Sequence, residues 1–400
     1  MEKSCPPYPA DTLLVFNPEH DLALANGQPH FVPPSNAVVF AREAAIIPIW
    51  IYGRGTVVSE PIPKDYSQIL QSLNIDIQIV NRNSIQPSHI KRIIPWGWDL
   101  LLTESLKKLG FEKNILLSES EIKKIKELSN RQLAIKANNE IAKSWNFPLS
   151  LPNTAKFVTQ TTLAEDFIAK NRNMIMKMPW SGSGKGLRFC REKLTTHDKG
   201  WLKNVIEKQG GAVLEKRYSV VQDFALEFYC CNGKVEFCGY SLFFTQNGAY
   251  QGNHLLSNQT IPSKLSTYVS KEYIIFCKDF YKTFLEKEVA PYYTGFVGVD
   301  MFIYHEGNEY RLHPACEINL RTTMGLLARK ITDNYINQNS EGMLLTAYSD
   351  KIGELAHILE DKKSSNPLRI SNGKITSGIV PLFPVNDFSH YAIWTEIKTI

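Results

Sequence analysis

A chain of 400 residues with 43% hydrophobic and 21% charged residues has the composition of an ordinary globular protein, long enough for more than one core. The net charge of +5 is spread without long like-charge runs, so it suits anionic small molecules and gives no support to nucleic acid as a partner. No stretch approaches the apolar length of a spanning helix, residues 1–10 lack the apolar core of a signal peptide, and the cysteines (5, 190, 230, 231, 238, 277, 316) show no metal-ligand spacing and read as reduced thiols of a cytoplasmic protein.

Residues 12–17 read as a buried first strand that turns through Asn17-Pro-Glu-His-Asp21 into a helix. Residues 36–45 have helical character, 46–52 read as a second apolar strand, and 75–80 and 92–95 as later strands of the same sheet. Strands alternating with helices predict a parallel α/β layer, whose ligands sit at the carboxyl ends of the strands. Asn17, Glu19, His20 and Asp21 occupy one such end, and Trp96, Trp98 and Asp99 another. Each set has two readings: helix capping and interface packing, or contact with substrate.

Residues 119–128 and 132–145 carry apolar positions at helical spacing. A proline-punctuated connection, 146–154, leads to a strand near 155–158 and a helix near 163–170. The chain then reaches its most informative stretch. An apolar run, 174–178, carries Lys177; a glycine loop, 181–186, follows; a second apolar run, 187–190, comes at once. Gly182, Gly184 and Gly186 strip the loop of side chains, so backbone N–H groups can close on an anion, and Lys177, Lys185 and Arg188 add positive charge. The spacing is neither that of a Walker loop nor that of a dinucleotide loop. What remains is a glycine-rich hairpin between two strands, suited to a polyphosphate.

Further on, a helix at 201–209 precedes a strand at 212–215 that turns at Lys216-Arg217. Long alternating strands at 219–231 and 234–245 flank Asn232-Gly233, a strong hairpin signal, and predict an antiparallel sheet. Residues 271–288 form a helix. A strand at 296–304 holds one carboxylate, Asp300, in an apolar run; after a turn, period-two geometry over 309–321 puts Glu317 and Asn319 on one face, with Arg321 following. A hairpin setting Asp300 beside Glu317 creates a pair that needs a proton or a cation. Carboxylate and amide oxygens that leave room for phosphate oxygens suit Mg²⁺. Pro314 predicts an edge or a bulge, which makes His313 a packing or substrate-adjacent residue. Residues 375–384 and 391–397 read as strands of a C-terminal tail.

Three of these elements resemble the ATP-grasp superfamily in order: Lys177-x-Pro-x-Ser-Gly-Ser-Gly-Lys-Gly, then Val213-Leu-Glu-Lys-Arg-Tyr218, then Asp300 with Glu317-Ile-Asn319-x-Arg321. The resemblance implies a mixed α/β chain: an N-terminal parallel α/β, substrate-contributing domain at 1–125, and an ATP-grasp domain with antiparallel sheet at 126–345. Its metal strands would span 294–321. A C-terminal extension at 346–400 would pack on the body or serve an interface, which leaves a homodimer open. The resemblance also implies site roles. Lys177 and the loop (Ser181, Gly182, Ser183, Gly184, Lys185) would hold ATP phosphates, with Arg131 or Lys136 as the earlier phosphate-binding residue. Glu215 and the backbone near Arg217 would hold adenine, and Asp223 or Glu227 the ribose. Asp300, Glu317 and Asn319 would hold Mg²⁺; Lys177 and Arg321 would be catalytic. Small carboxylate and amine substrates would lie between Asn17, Glu19, His20, Asp21, Trp98 and Asp99 on one side and the Glu317–Arg321 strand end on the other. The implied reaction is ATP-dependent carboxylate–amine ligation through an acyl phosphate. Its rivals are a phosphotransferase that stops at a phosphorylated product and a nucleotide-binding protein without activity. Neither nucleic acid nor membrane is expected as a partner.

Overall fold

The computed structural model describes residues 11–152, 155–182, 186–246 and 248–400. Its N-terminal layer is a four-stranded parallel sheet in the order Asp76–Val80, Arg54–Val58, Thr12–Val15, Arg92–Pro95. The expected strand at 46–52 is a correction. That run is a turn followed by a short helix, Ile49–Tyr52, and the strand is the next segment, Arg54–Val58. A short continuous apolar run buries equally well as helix or strand. Here Gly53, at φ +74°, ends the helix and lets the chain turn into the sheet.

A nine-stranded sheet forms the body, in the order Glu309–Asn319, Gly295–Glu306, Ser219–Cys231, Lys234–Gln246, Ala249–Leu255, Ser340–Tyr348, Tyr391–Thr399, Lys374–Pro381, Arg369–Ser371. Asn232 and Gly233 sit at φ +50° and +73°, the left-handed pair that a tight hairpin requires. One face is apolar: Phe224, Leu226, Phe228, Val299 and Met301 bury against the helices Gln132–Ser144 and Lys271–Glu288. The other face carries the polar side chains of the cleft. The tail supplies three strands of this sheet and packs on the N-terminal layer, where Trp50 Nε1 donates to Leu382 O at 2.8 Å and Tyr66 OH to Pro381 O at 3.1 Å.

A smaller four-stranded antiparallel sheet, Lys156–Val158, Ala212–Lys216, Met174–Lys177, Leu187–Cys190, is backed by the helices Thr161–Lys170 and Thr196–Gln209. The second of these begins before its apolar residues, because Thr195 and Asp198 form a reciprocal capping box. Met174 pairs with Cys190 and Lys177 with Leu187, so the glycine loop joins two neighbouring strands, as its sequence predicts. No helix among the described residues is long and apolar enough to cross a membrane. Six cysteines, 190, 230, 231, 238, 277 and 316, are free thiols.

Candidate functional site

One row of the large sheet fixes the centre of the cleft. Asp300 pairs with Glu317 on one side and Ala225 on the other, and Ala225 pairs with Ser241. The register shifts beyond Asp300, where Pro314 lies on the edge strand and has no N–H to give the ladder. The cavity above this row encloses about 260 Å³ and reaches Asp21 and Gly182. Asn319 Nδ2 donates to Asp300 Oδ2 at 2.9 Å, and Asn319 Oδ1 accepts from Arg321 Nη2 at 3.2 Å.

Arg321 reaches the N-terminal layer, donating through Nε and Nη2 to both oxygens of Asp21 at 2.8 and 2.9 Å. This fork joins residues 300 positions apart. Gly182 lies against it: a Cβ there would come within 2.2 Å of Asp21 Oδ2, so the loop passes where only glycine fits. Arg131 ties the start of the loop to the acidic strand. Its Nη1 donates to Met178 O at 2.7 Å and Ser181 Oγ at 2.9 Å, and its Nη2 to Glu317 Oε2 at 2.9 Å. Lys136, the other candidate for the early phosphate-binding position, points away and pairs with Glu288 at 2.6 Å. Ser183, Gly184 and Lys185 lie outside the described residues. Arg188 is held by Asp198 at 2.6 Å.

At the far end of the cleft, Lys177 pairs with Glu215, and His313 Nε2 lies 2.9 Å from Glu215 Oε1 while its ring stacks on Phe302 at 4.4 Å. Two buried polar atoms beside this cluster, His313 Nδ1 and Tyr218 OH, make no hydrogen bond. The Arg217 guanidinium turns outward over the Phe189 ring at 4.5 Å, while its N–H donates to Asn173 O. Asp223 accepts from Thr245 Oγ1 at 3.0 Å.

The two N-terminal turns meet and brace each other. Asn17 Nδ2 donates to Gly97 O at 2.8 Å and to Asp99 Oδ2 at 3.1 Å, and His20 Nδ1 lies 3.2 Å from that oxygen. Asp99 Oδ1 accepts from Leu102 N and caps the helix Leu100–Lys108. Trp98 packs between two hydrophobic clusters, whereas Trp96 reaches the cavity wall. Asn17, His20 and Asp99 thus hold the two turns together, and Asp21 is the member of the set that enters the cleft. Glu19 Oε2 is buried without a partner.

Electrostatics divide the cleft. Burial pushes the Asp300 carboxyl up to about 7, with Glu317 adding to the rise. Burial and then Asp300 push Glu227 to about 8, and burial alone accounts for most of the rise of Glu19 to about 7. Asp21 behaves oppositely: burial works against its charged form, but the Arg321 guanidinium outweighs burial and holds it below the usual range. Burial likewise opposes Glu215, and Lys177 and His313 hold it at about 2. No group of three His, Cys, Asp or Glu side chains among the described residues gathers closely enough to hold a metal ion by itself. Two carboxylates, of which Glu317 is paired with Arg131 and Asp300 forms no ion pair among the described residues, and an amide oxygen fit an ion such as Mg²⁺ that keeps phosphate oxygens and water in its shell.

The wall contributed by Ser241, Phe243 and Tyr250 was not legible in the sequence. Alternation in 234–245 announces a two-faced strand, and nothing local says what its second face meets.

No family model matches the chain, and no curated protein matches it. Solved structures do. The biotin carboxylase domain of 2-oxoglutarate carboxylase from Hydrogenobacter thermophilus, in complex with MgADP and bicarbonate, is 10% identical, with 98% of this chain and 86% of that chain covered at a TM-score of 0.50. A biotin carboxylase from Campylobacter jejuni, solved as a β-γ-ATP complex, is 12% identical over 98% and 87% of the chains, also at 0.50. Pyruvate carboxylase from Rhizobium etli is 11% identical, with 98% of this chain and 36% of that chain covered at 0.51. At such identities the likeness speaks for architecture, and the architecture of this chain is the ATP-grasp fold.

Proposed function

We propose that the chain is an ATP- and Mg²⁺-dependent ligase that joins a small carboxylate to an amine, releasing ADP and phosphate. The observation that carries this reading is the meeting, in one cleft, of the register pair Asp300–Glu317, the Asp21–Arg321 fork and the lysine strand with its glycine loop. The ADP and ATP complexes of the carboxylases with the same fold support it.

The large sheet serves as a ruler. Residues along a strand advance about 3.3 Å each, so Glu227 lies roughly 13 Å beyond Asp223 as seen from the turn at Lys216. Adenine would sit at the end where Tyr218 OH and His313 Nδ1 lack partners, with Asp223 as the nearer carboxylate for ribose. The phosphates would follow over Asp300, Glu317 and Asn319, which would hold Mg²⁺; when bound, that ion neutralises phosphate charge. Lys177, held by Glu215, and Arg131 would flank the phosphates. Arg321, its planar fork fixed by Asp21, would hold the acid.

The chemistry then needs positioning and no protein nucleophile. A carboxylate oxygen of the acid attacks the terminal phosphorus and ADP leaves, giving an acyl phosphate. The amine, as the free base, attacks the acyl carbon with its nitrogen lone pair; the C–O bond breaks, phosphate departs with an oxygen from the acid, and the nitrogen gives up a proton to phosphate or solvent. The loop at 181–186 would exclude water meanwhile. The cytoplasm, which keeps thiols reduced, suits the free cysteines. Glu317→Ala is the test: turnover should vanish while circular dichroism still shows the fold, and full activity would sink the metal assignment.

A further inference from the structure

Beyond the acidic centre the cleft does not end. The same cavity continues from the Asp300–Glu317 row to an aromatic chamber walled by Phe16, Phe40, Trp96, Phe243 and Tyr250. Phe16 stands edge-on to both Phe40 and Trp96, at 5.2 and 5.0 Å, so this wall is a fixed aromatic corner. Besides Asp21, Asp300 and Glu317, one further carboxylate lines this cavity, Glu227. Glu227 is 1% exposed and, among the described residues, forms no ion pair within 4 Å. Its Oε2 accepts from Thr323 Oγ1 at 2.9 Å. Ser241 Oγ stands beside it, buried and with no well-aligned hydrogen bond of its own. A Cβ on Gly325 would fall 2.2 Å from Glu227 Oε1, so the chain at the start of the helix Met324–Tyr335 is kept bare where it meets the carboxylate.

A structural role accounts for part of this. Thr323 caps the helix by accepting from Leu326 N, and its hydroxyl proton needs an acceptor. A glutamine oxygen would serve that purpose equally, without burying an acid. A buried glutamate without a cation holds its proton, and only an arriving cation favours the charged carboxylate. The acid substrate, on the reading above, is held by Arg321, on the near side of this chamber. We propose that Glu227 anchors the ammonium group of the amine substrate until that nitrogen loses a proton and becomes the nucleophile, and that the aromatic chamber holds an apolar, ring-bearing body attached to it. Resting on the ligase reading, this assigns the second substrate class: a primary amine with an aromatic or bulky apolar substituent, recognised by charge at one end and ring stacking at the other.

The test needs binding as well as turnover. The probe is 2-phenylethylamine, compared with 2-phenylethanol, which replaces the ammonium by a hydroxyl, and with ethylamine, which lacks the ring. Titration calorimetry is run on the full chain with MgADP present, and MgADP binding is measured first. The expected result is 2-phenylethylamine binding at least tenfold tighter than either comparator, a preference that Glu227→Gln erases while MgADP affinity stays unchanged. Thr323→Val, which keeps the carboxylate, should preserve the preference. Equal binding of amine and alcohol, or an undiminished preference in Glu227→Gln, overturns this inference and leaves the ligase reading standing. Absence of MgADP binding to the native chain would instead strike the ligase reading itself.

Discussion

The two ends of the cleft are built on opposite electrostatic principles. At the Lys177 end, Lys177 and His313 pair with Glu215 and hold it at about 2 against its burial. Near the middle, Asp300 and Glu317 face each other, and burial with like charge lifts Asp300 to about 7. The first cluster is balanced in charge within the protein, while His313 Nδ1 and the neighbouring Tyr218 OH stay unpartnered. In the second, Asp300 is balanced only with a proton or a further cation.

Removing one partner from each end should therefore have different consequences. At the unfinished end, Glu317→Ala or Asp300→Asn should lower turnover by about 1,000-fold or more, because charge neutralisation is the main catalytic device there. Asp300→Asn should hold or raise stability without metal, since a repulsive pair is relieved, whereas Glu317→Ala also strips the buried Arg131 of its partner and should lower it; a thermal melt alongside a turnover assay separates the effects. At the finished end, Lys177→Ala leaves Glu215 buried without its main cation and should cost about 3–5 kcal/mol in denaturant unfolding. A small loss would mean that His313 alone suffices.

The ends should also respond oppositely to pH. Asp300 and Glu227 have folded pKa values raised above those of the unfolded chain, so their contribution to stability is fully present below about pH 4 and is lost as pH rises through about 7 to 8. Glu215 is depressed, so its contribution is present above its ordinary 4.5 and is lost as pH falls toward 2. The melting temperature of metal-free protein should fall between pH 6 and 8.5, and Asp300→Asn should flatten that fall. Binding of MgADP near pH 7 should release protons, measurable as a dependence of calorimetric heat on buffer ionisation. Least affected should be Lys136→Ala, which removes an exposed pair and should change stability by about 0.5 kcal/mol or less and nucleotide affinity not at all. Arg131→Ala sharpens that contrast, since Arg131 bridges the loop and Glu317.

Much of this arrangement can be read from local pattern. Asp300 and Glu317 lie in adjacent strands joined by a short turn, so alternation and loop length suffice to set them together. The glycine loop is legible for the same reason, as a hairpin between neighbouring strands. Residues 46–52 mislead because an apolar run of that length suits either state, and the deciding Gly53 acts through a backbone angle. The Asp21–Arg321 fork is illegible locally, since only the docking of the N-terminal layer on the large sheet brings those side chains together. The tail is similar: its strands are recognisable, but their place beside Ser340–Tyr348 depends on a register that no local motif encodes.

The most direct test of the central claim is a reaction screen read by mass spectrometry. Purified protein with Mg²⁺ and ATP is incubated with pooled small carboxylates and amines, aromatic amines among them, and nucleotides, phosphate and new masses are recorded together. The account predicts ADP and phosphate rising in step with a product equal to acid plus amine less water. ADP rising with a product heavier by one phosphoryl group, or failure of the chain to bind ATP at all, would contradict it.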